Sequence, residues 1–231
     1  MTTQPKSIII NKTYRAIRHD VTRKKQREND DAVHHPQAKQ MQIASALEGM
    51  SGLAVLELFA GKGNLTRIYK KHGTVLAMDI RNGTGDSFLE YHRLIADKKI
   101  FDVVDIDPYG FPNRLFPDVF LLIKSGFMFL TMPSPSVNIL NGITKTHMEA
   151  YYGLCNPTIW EIIDRIAGFG ICHWRKILVD DIVKIGRMWR ICFVVEQVKA
   201  TEYCDVRNQP YSESVSYPAT LDLFGKYLEL K

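Results

Sequence analysis

One stretch, Val55-Leu56-Glu57-Leu58-Phe59-Ala60-Gly61-Lys62-Gly63-Asn64-Leu65-Thr66, limits what this chain can fold into more than any other. Its apolar start reads as a strand buried in a parallel sheet. A Gly-x-Gly turn follows, and Leu65, Ile68 and Tyr69 then begin a helical face. Strand, tight glycine turn and helix together form a cradle for a nucleotide-type cofactor. Glycine lets the backbone approach a ligand where a Cβ would clash, and a helix start presents free N–H groups to ligand oxygens. Taken alone, a Gly-x-Gly turn also fits an ordinary strand-to-helix connection.

Two further stretches add weight. Thr74-Val75-Leu76-Ala77-Met78-Asp79-Ile80 reads as a second short strand ending in an acid, 18 residues after Gly61. That is near the ~20-residue spacing at which a carboxylate meets ribose hydroxyls. Phe101-Asp102-Val103-Val104-Asp105-Ile106-Asp107 reads as a third strand, followed by Pro108-Tyr109-Gly110. Open α/β sheets bind ligands outside the carboxyl ends of their strands, so all three ends belong to one crevice.

On these residues the chain resembles the class I S-adenosylmethionine-dependent methyltransferases over about residues 36 to 198. Leu56 to Gly63 looks like that family's first cofactor motif, and Asp79 like its ribose-binding acid. Asp107-Pro108-Tyr109-Gly110 looks like a variant of the Asp-Pro-Pro-Tyr motif of enzymes that methylate exocyclic amines of bases. It is closest to the Asp-Pro-Phe-Gly signature of the tRNA guanine-N2 dimethyltransferases. The resemblance implies a Rossmann-like α/β fold: a mostly parallel twisted sheet, an antiparallel C-terminal hairpin, and helices on both faces. It implies S-adenosyl-L-methionine held by Glu57, Phe59, Gly61, Gly63, Asp79 and Ile80, with Asp86 as the candidate adenine contact. Asp107, Pro108 and Tyr109 are the expected catalytic residues, with Gly110 and Phe111 shaping the substrate pocket. The expected substrate is a nucleic acid, RNA being favoured over DNA. A nicotinamide dehydrogenase fits less well, because the turn lacks the third glycine.

Charge adds a second signal. The chain is +5 overall, yet Lys12 to Arg27 carries seven cations against Asp20 and is +6, leaving about −1 for the rest. A concentrated basic segment suits a polyanionic partner. Arg15, Arg18 and Arg23 are its candidate phosphate contacts. Tyr14, Ile17 and Val21 are also at helical spacing, so a solvated helix or a tail remains open.

The organisation expected is a basic N-terminal arm (1–35), one catalytic domain (36–198) and a C-terminal extension packed on it (199–231). Pro36 begins a helix that ends near Gly49, and Asp86 caps a helix running to Ile95. Only 28 residues separate Asp79 from Asp107, so the usual third strand is expected to be stunted or missing. Residues from Pro112 to Ile123 read as a helix, and Gly126 to Thr131 as a strand. The long connection from Met132 to Pro157, with Asn138 as a candidate substrate contact, leaves the carboxyl end of that strand. Thr158 to Gly168 reads as a helix, then Ile171 to Val183 and Met188 to Val198 as strands. On the hairpin, Trp174 and Trp189 are expected in the core, with the neighbouring arginines solvated. The four cysteines are widely spaced, which suits reduced thiols in a cytoplasmic protein without a metal site. No run is long enough to span a bilayer.

Overall fold

The computed structural model describes residues 15–17, 36–80, 83–108, 110–133, 149–154, 157–186 and 188–199. Seven strands form one sheet: β1 (Arg15–Ile17), β2 (Leu53–Leu58), β3 (Gly73–Met78), β4 (Phe101–Ile106), β5 (Ile123–Pro133), β6 (Arg175–Ile185) and β7 (Met188–Gln197). Their order is β1-β6-β7-β5-β4-β2-β3. Only β7 runs against its neighbours, so the sheet is parallel apart from the C-terminal hairpin. Helices α1 (Pro36–Ala46), α2 (Thr66–Tyr69), α3 (Ser87–Ala96) and α4 (Ile159–Cys172) accompany it.

Strand alternation divides the buried side chains between two faces. Leu56, Leu58, Val104, Ile106, Met128 and Leu130 face an apolar layer completed by α3 and α4. Val55, Val103, Phe129 and Cys192 face the other way, against Ile43 of α1, Leu47 just after it and Tyr69 of α2. Asp105 and Asp107 share parity with Val103, which directs two carboxylates of β4 towards α1 and α2.

The third strand of the usual arrangement is missing among the described residues. The chain passes from β3 through α3 directly into β4, and β3 is the sheet's edge. At the opposite edge, part of the basic segment is a strand, not a helix: Arg15–Ile17 pairs in parallel with Val183–Ile185. An unpaired edge offers a row of backbone donors and acceptors, and this pairing overrides the helical spacing.

Three boundaries differ from expectation for local reasons. Pro112 to Ile123 is two short 3-10 turns, Asn113–Leu115 and Asp118–Leu121, not a helix. Pro117 drives Phe116 to extended backbone (φ −91°, ψ 146°), which ends any helix there. Helix α4 runs on to Cys172, so the last strand pair starts at Arg175, beyond the expected Ile171. Strand β5 is longer than expected at both ends. Among the described residues, no helix is long and apolar enough to cross a membrane.

Candidate functional site

Register places the site. Leu58 pairs with Met78 on one side and with Ile106 on the other, so β2, β3 and β4 end level. Asp79 and Asp107 therefore flank the turn that leaves β2, roughly 10 Å apart at two strand spacings. From β2 the chain steps out to β3 and then reverses to β4. That reversal is the switch point at which open α/β sheets bind ligands.

The turn is held from several sides. Gly61 and Gly63 have φ of 54° and 76°, a left-handed backbone that glycine adopts without strain. The Gly61 N–H donates to Asp79 Oδ2 at 2.9 Å, and the Ala60 N–H to the Met78 carbonyl at 2.9 Å. Ser87, which the sequence reading passed over, is buried. Its hydroxyl accepts from the Phe59 N–H at 3.0 Å and donates to the Met78 carbonyl at 3.1 Å. A Cβ added at Gly61 meets nothing within 4 Å, so the turn borders open space. Ile80 is 71% exposed on the same rim.

Two of the expected cofactor residues also have structural duties. Glu57 is buried beneath the turn and accepts from the Thr66 hydroxyl at 2.5 Å, so it supports the loop from inside. Asp86 is an N-cap whose Oδ1 accepts from Phe88 and Leu89 N–H groups, which accounts for it without an adenine. Phe59 stays at the turn, packed edge-on against Phe88.

Burial, with the nearby Asp105 carboxylate adding to it, pushes the Glu57 carboxyl up to about 8. A carboxyl raised above its unfolded value of 4.5 binds an extra proton in the native state over that interval. Its stabilising contribution is therefore full below pH 4.5 and is lost as pH rises through about 8. Glu57→Gln should flatten the fall in stability between pH 5 and 8, a slope of up to about 1.4 kcal/mol per pH unit. Urea unfolding across that range checks this, and parallel curves for the two proteins would refute it.

Beneath Asp107 lies a polar network. Arg190, fully buried on β7, donates to both oxygens of Asp105 at 2.7 and 2.6 Å and to the Thr131 hydroxyl at 2.9 Å. The Tyr69 hydroxyl donates to Asp105 Oδ2 at 2.5 Å. The Thr131 hydroxyl also helps to hold the Asp107 carboxyl low. The expectation of solvated hairpin arginines is thus corrected: Arg190 and Arg175 are buried, and Trp174 is 44% exposed while Trp189 is core. Lys39, also unforeseen, spans both oxygens of Asp107 at 2.7 and 2.6 Å. Burial alone would raise the Asp107 carboxyl, but Lys39 and Arg190 outweigh it and hold it below the ordinary carboxylate range.

Gly110 has φ of 114° and open space at its Cβ position, and Phe111 packs against the apolar layer. Tyr109, Arg18, Arg23, Asn138, the 134–148 part of the long connection and residues 200–231 lie outside the described residues. Arg15 is placed by its backbone alone.

No protein-family model and no curated protein sequence matches this chain. Solved structures do match it. Trm1 from Pyrococcus horikoshii, in complex with S-adenosyl-L-methionine, superimposes with a TM-score of 0.51 at 12% identity, over 77% of this chain and 58% of that one. Trm5b from Pyrococcus abyssi gives 0.45 at 15% identity, over 69% and 48%. Magnesium protoporphyrin IX methyltransferase from Synechocystis, with SAH bound, gives 0.44 at 13% identity, over 71% and 84%. The chain thus spans a little over half the length of the archaeal Trm1. The likeness to Trm1 shows a shared fold, the Rossmann-like class I methyltransferase fold with an antiparallel C-terminal strand pair.

Proposed function

We propose that the protein is an S-adenosyl-L-methionine-dependent methyltransferase that acts on an exocyclic amine of a nucleic-acid base. The observation that carries this reading is Asp107, an ionised carboxylate at the end of β4, one strand from an open glycine turn.

The residues at the rim fit the cofactor. Gly61 leaves room where a side chain would intrude, Asp79 closes the edge with a carboxylate suited to ribose hydroxyls, and Ile80 offers apolar surface to a purine. Bound there, the cofactor supplies a methyl group activated by a sulfonium. The protein's main contribution is alignment of amine, methyl and sulfur. A base amine is a weak nucleophile because its lone pair is delocalised into the ring. Asp107 accepts one of its N–H bonds and the Pro108 carbonyl the other, which turns the lone pair towards the methyl. Once alkylated, the amine would carry an acidic proton, which would pass to Asp107 or to water. Tyr109 follows directly in sequence and supplies a ring for the base to stack on, at roughly 1–3 kcal/mol.

Support for a nucleic-acid substrate comes from where the basic segment is anchored. Strand β1 runs parallel to β4 and meets the carboxyl end of β6, so the chain leaves Ile17 on the site's side of the sheet. It re-enters at Pro36, the start of the helix that carries Lys39 to Asp107. Between these anchors lie Arg18, Arg23, Lys24, Lys25 and Arg27. Four strand spacings separate β1 from β4, roughly 19 Å, comparable to a duplex diameter.

The test is transfer of labelled methyl from S-adenosyl-L-methionine to total RNA, unmodified duplex DNA and protein extract, followed by digestion of the product. Label on the exocyclic amine of one nucleoside is expected. Label confined to protein would overturn the substrate reading and keep the cofactor; no label in any pool would overturn the enzyme reading. Gly61→Ala checks the cradle separately. Its left-handed backbone costs a non-glycine residue about 1–2 kcal/mol of stability. Cofactor affinity measured by calorimetry should fall at least about tenfold, from the Cβ that enters the ligand's space. Unchanged affinity would place the cofactor elsewhere.

A further inference from the structure

Lys39 lies four and eight residues before Ile43 and Leu47, on the stripe of α1 that packs on the sheet. Lysine is almost never buried without a partner. Here the side chain is 6% exposed, and the ammonium closes against both oxygens of Asp107. This pair differs from the Arg190–Asp105 pair below it, in which both side chains are fully buried. Asp107 keeps 19% of its side-chain surface, and that surface is at the end of β4. A carboxylate offers about four lone-pair positions. Lys39 takes one on each oxygen, which leaves lone-pair capacity for an incoming N–H.

Resting on the methyl-transfer reading above, we propose that Lys39 is the positioning residue of this site: by closing on both oxygens it fixes the plane of the Asp107 carboxylate and turns its remaining lone pair towards the substrate amine. The pair is also neutral as a unit. It therefore suits a neutral, conjugated amine such as that of a base, and gives an alkylammonium no net attraction. The charged groups facing Asp107 are Lys39 from α1, Arg190 from β7, Glu57 from β2 and Asp105 from β4 itself, with the uncharged Thr131 on β5. Arg190 is already engaged with Asp105, so Lys39 is the cation that Asp107 has to itself.

The experiment uses the full chain with Lys39→Gln and Lys39→Arg. Titration of the Asp107 carboxyl by ¹³C NMR, assigned with Asp107→Asn, reads its charge state without any substrate. Initial rates of label transfer against pH, with the nucleic-acid pool that the wild type labels and with spermidine as the alkylamine probe, read positioning. Lys39→Gln should raise the carboxyl midpoint by at least about one pH unit and carry the acidic limb of the rate profile with it. It should lower kcat about tenfold or more while KM for S-adenosyl-L-methionine holds. Lys39→Arg keeps the charge, so its midpoint should stay while its rate falls, because the guanidinium grips the carboxylate in a different geometry. Spermidine should remain unlabelled by the wild type. An unmoved midpoint in Lys39→Gln, or an undiminished rate in Lys39→Arg, overturns the role of Lys39, and the second decides the matter even if Lys39→Gln does not fold. A wild type that labels no pool removes the methyl-transfer reading instead, which keeps the two failures distinct.

Discussion

Arg190→Leu should lower the unfolding free energy by about 3–5 kcal/mol, the usual cost of removing one partner from a buried ion pair. Both side chains of the Arg190–Asp105 pair are fully buried, and the guanidinium makes three hydrogen bonds, two to Asp105 and one to Thr131. Burial alone would weaken its hold on the proton, but Asp105 more than offsets this and keeps Arg190 charged. Leucine replaces the volume and leaves the Asp105 carboxylate in an apolar layer with the Tyr69 hydroxyl as its remaining donor. The paired variant Asp105→Leu with Arg190→Met should recover most of the loss, because neither charge is then stranded. Urea unfolding of the single and paired variants tests this. A single-variant loss under about 1 kcal/mol would mean that water reaches the pair. Because Arg190 is among the charges that hold the Asp107 carboxyl low, the single variant should also raise the carboxyl of the site acid.

Asp107→Asn should reduce methyl transfer by about 10²–10⁴-fold, the range for losing a positioned proton acceptor. The substitution keeps the shape and the carbonyl but sets an amide N–H2 among donors: the Lys39 ammonium and the incoming amine. Affinity for S-adenosyl-L-methionine should change less than about twofold, since the contacts proposed for the cofactor belong to the turn after β2 and the end of β3. Calorimetry together with single-turnover rates separates the two effects. Retained turnover would remove Asp107 from the chemistry, and lost cofactor binding would recast it as a cofactor contact. The variant also strands the buried Lys39, so a drop in stability accompanies it and both assays belong well below its unfolding transition.

Much of this arrangement was legible from local pattern. The apolar run to Leu58, the glycines at 61 and 63 and the acids at 79 and 107 placed three strand ends at one crevice, because an α/β sheet with right-handed crossovers leaves few alternatives. The short passage from Asp79 to Asp107 has length for one helix and one strand, and among the described residues it holds α3 and β4. The roles of the charged residues were less legible. Lysine on a helix and arginine beside tryptophan on a hairpin read as solvated, since those side chains normally are. A usable signal existed for Lys39, which shares the four-residue stripe of Ile43 and Leu47 and so takes a core position. None existed for Arg190, whose partner is 85 residues away on another strand.

Bonding between near neighbours was enough to set the strand–turn–helix cradle, the alternation that sends Asp105 and Asp107 to one face, and the proline break in the 112–123 segment. Tertiary structure decided the charges. Glu57 became a buried carboxyl that stays protonated near neutral pH, Asp107 an ionised one, and Arg15–Ile17 an edge strand. The reason is physical: the energy of an ion depends on how much water it loses and which opposite charge replaces it, and both are set by residues distant in the chain.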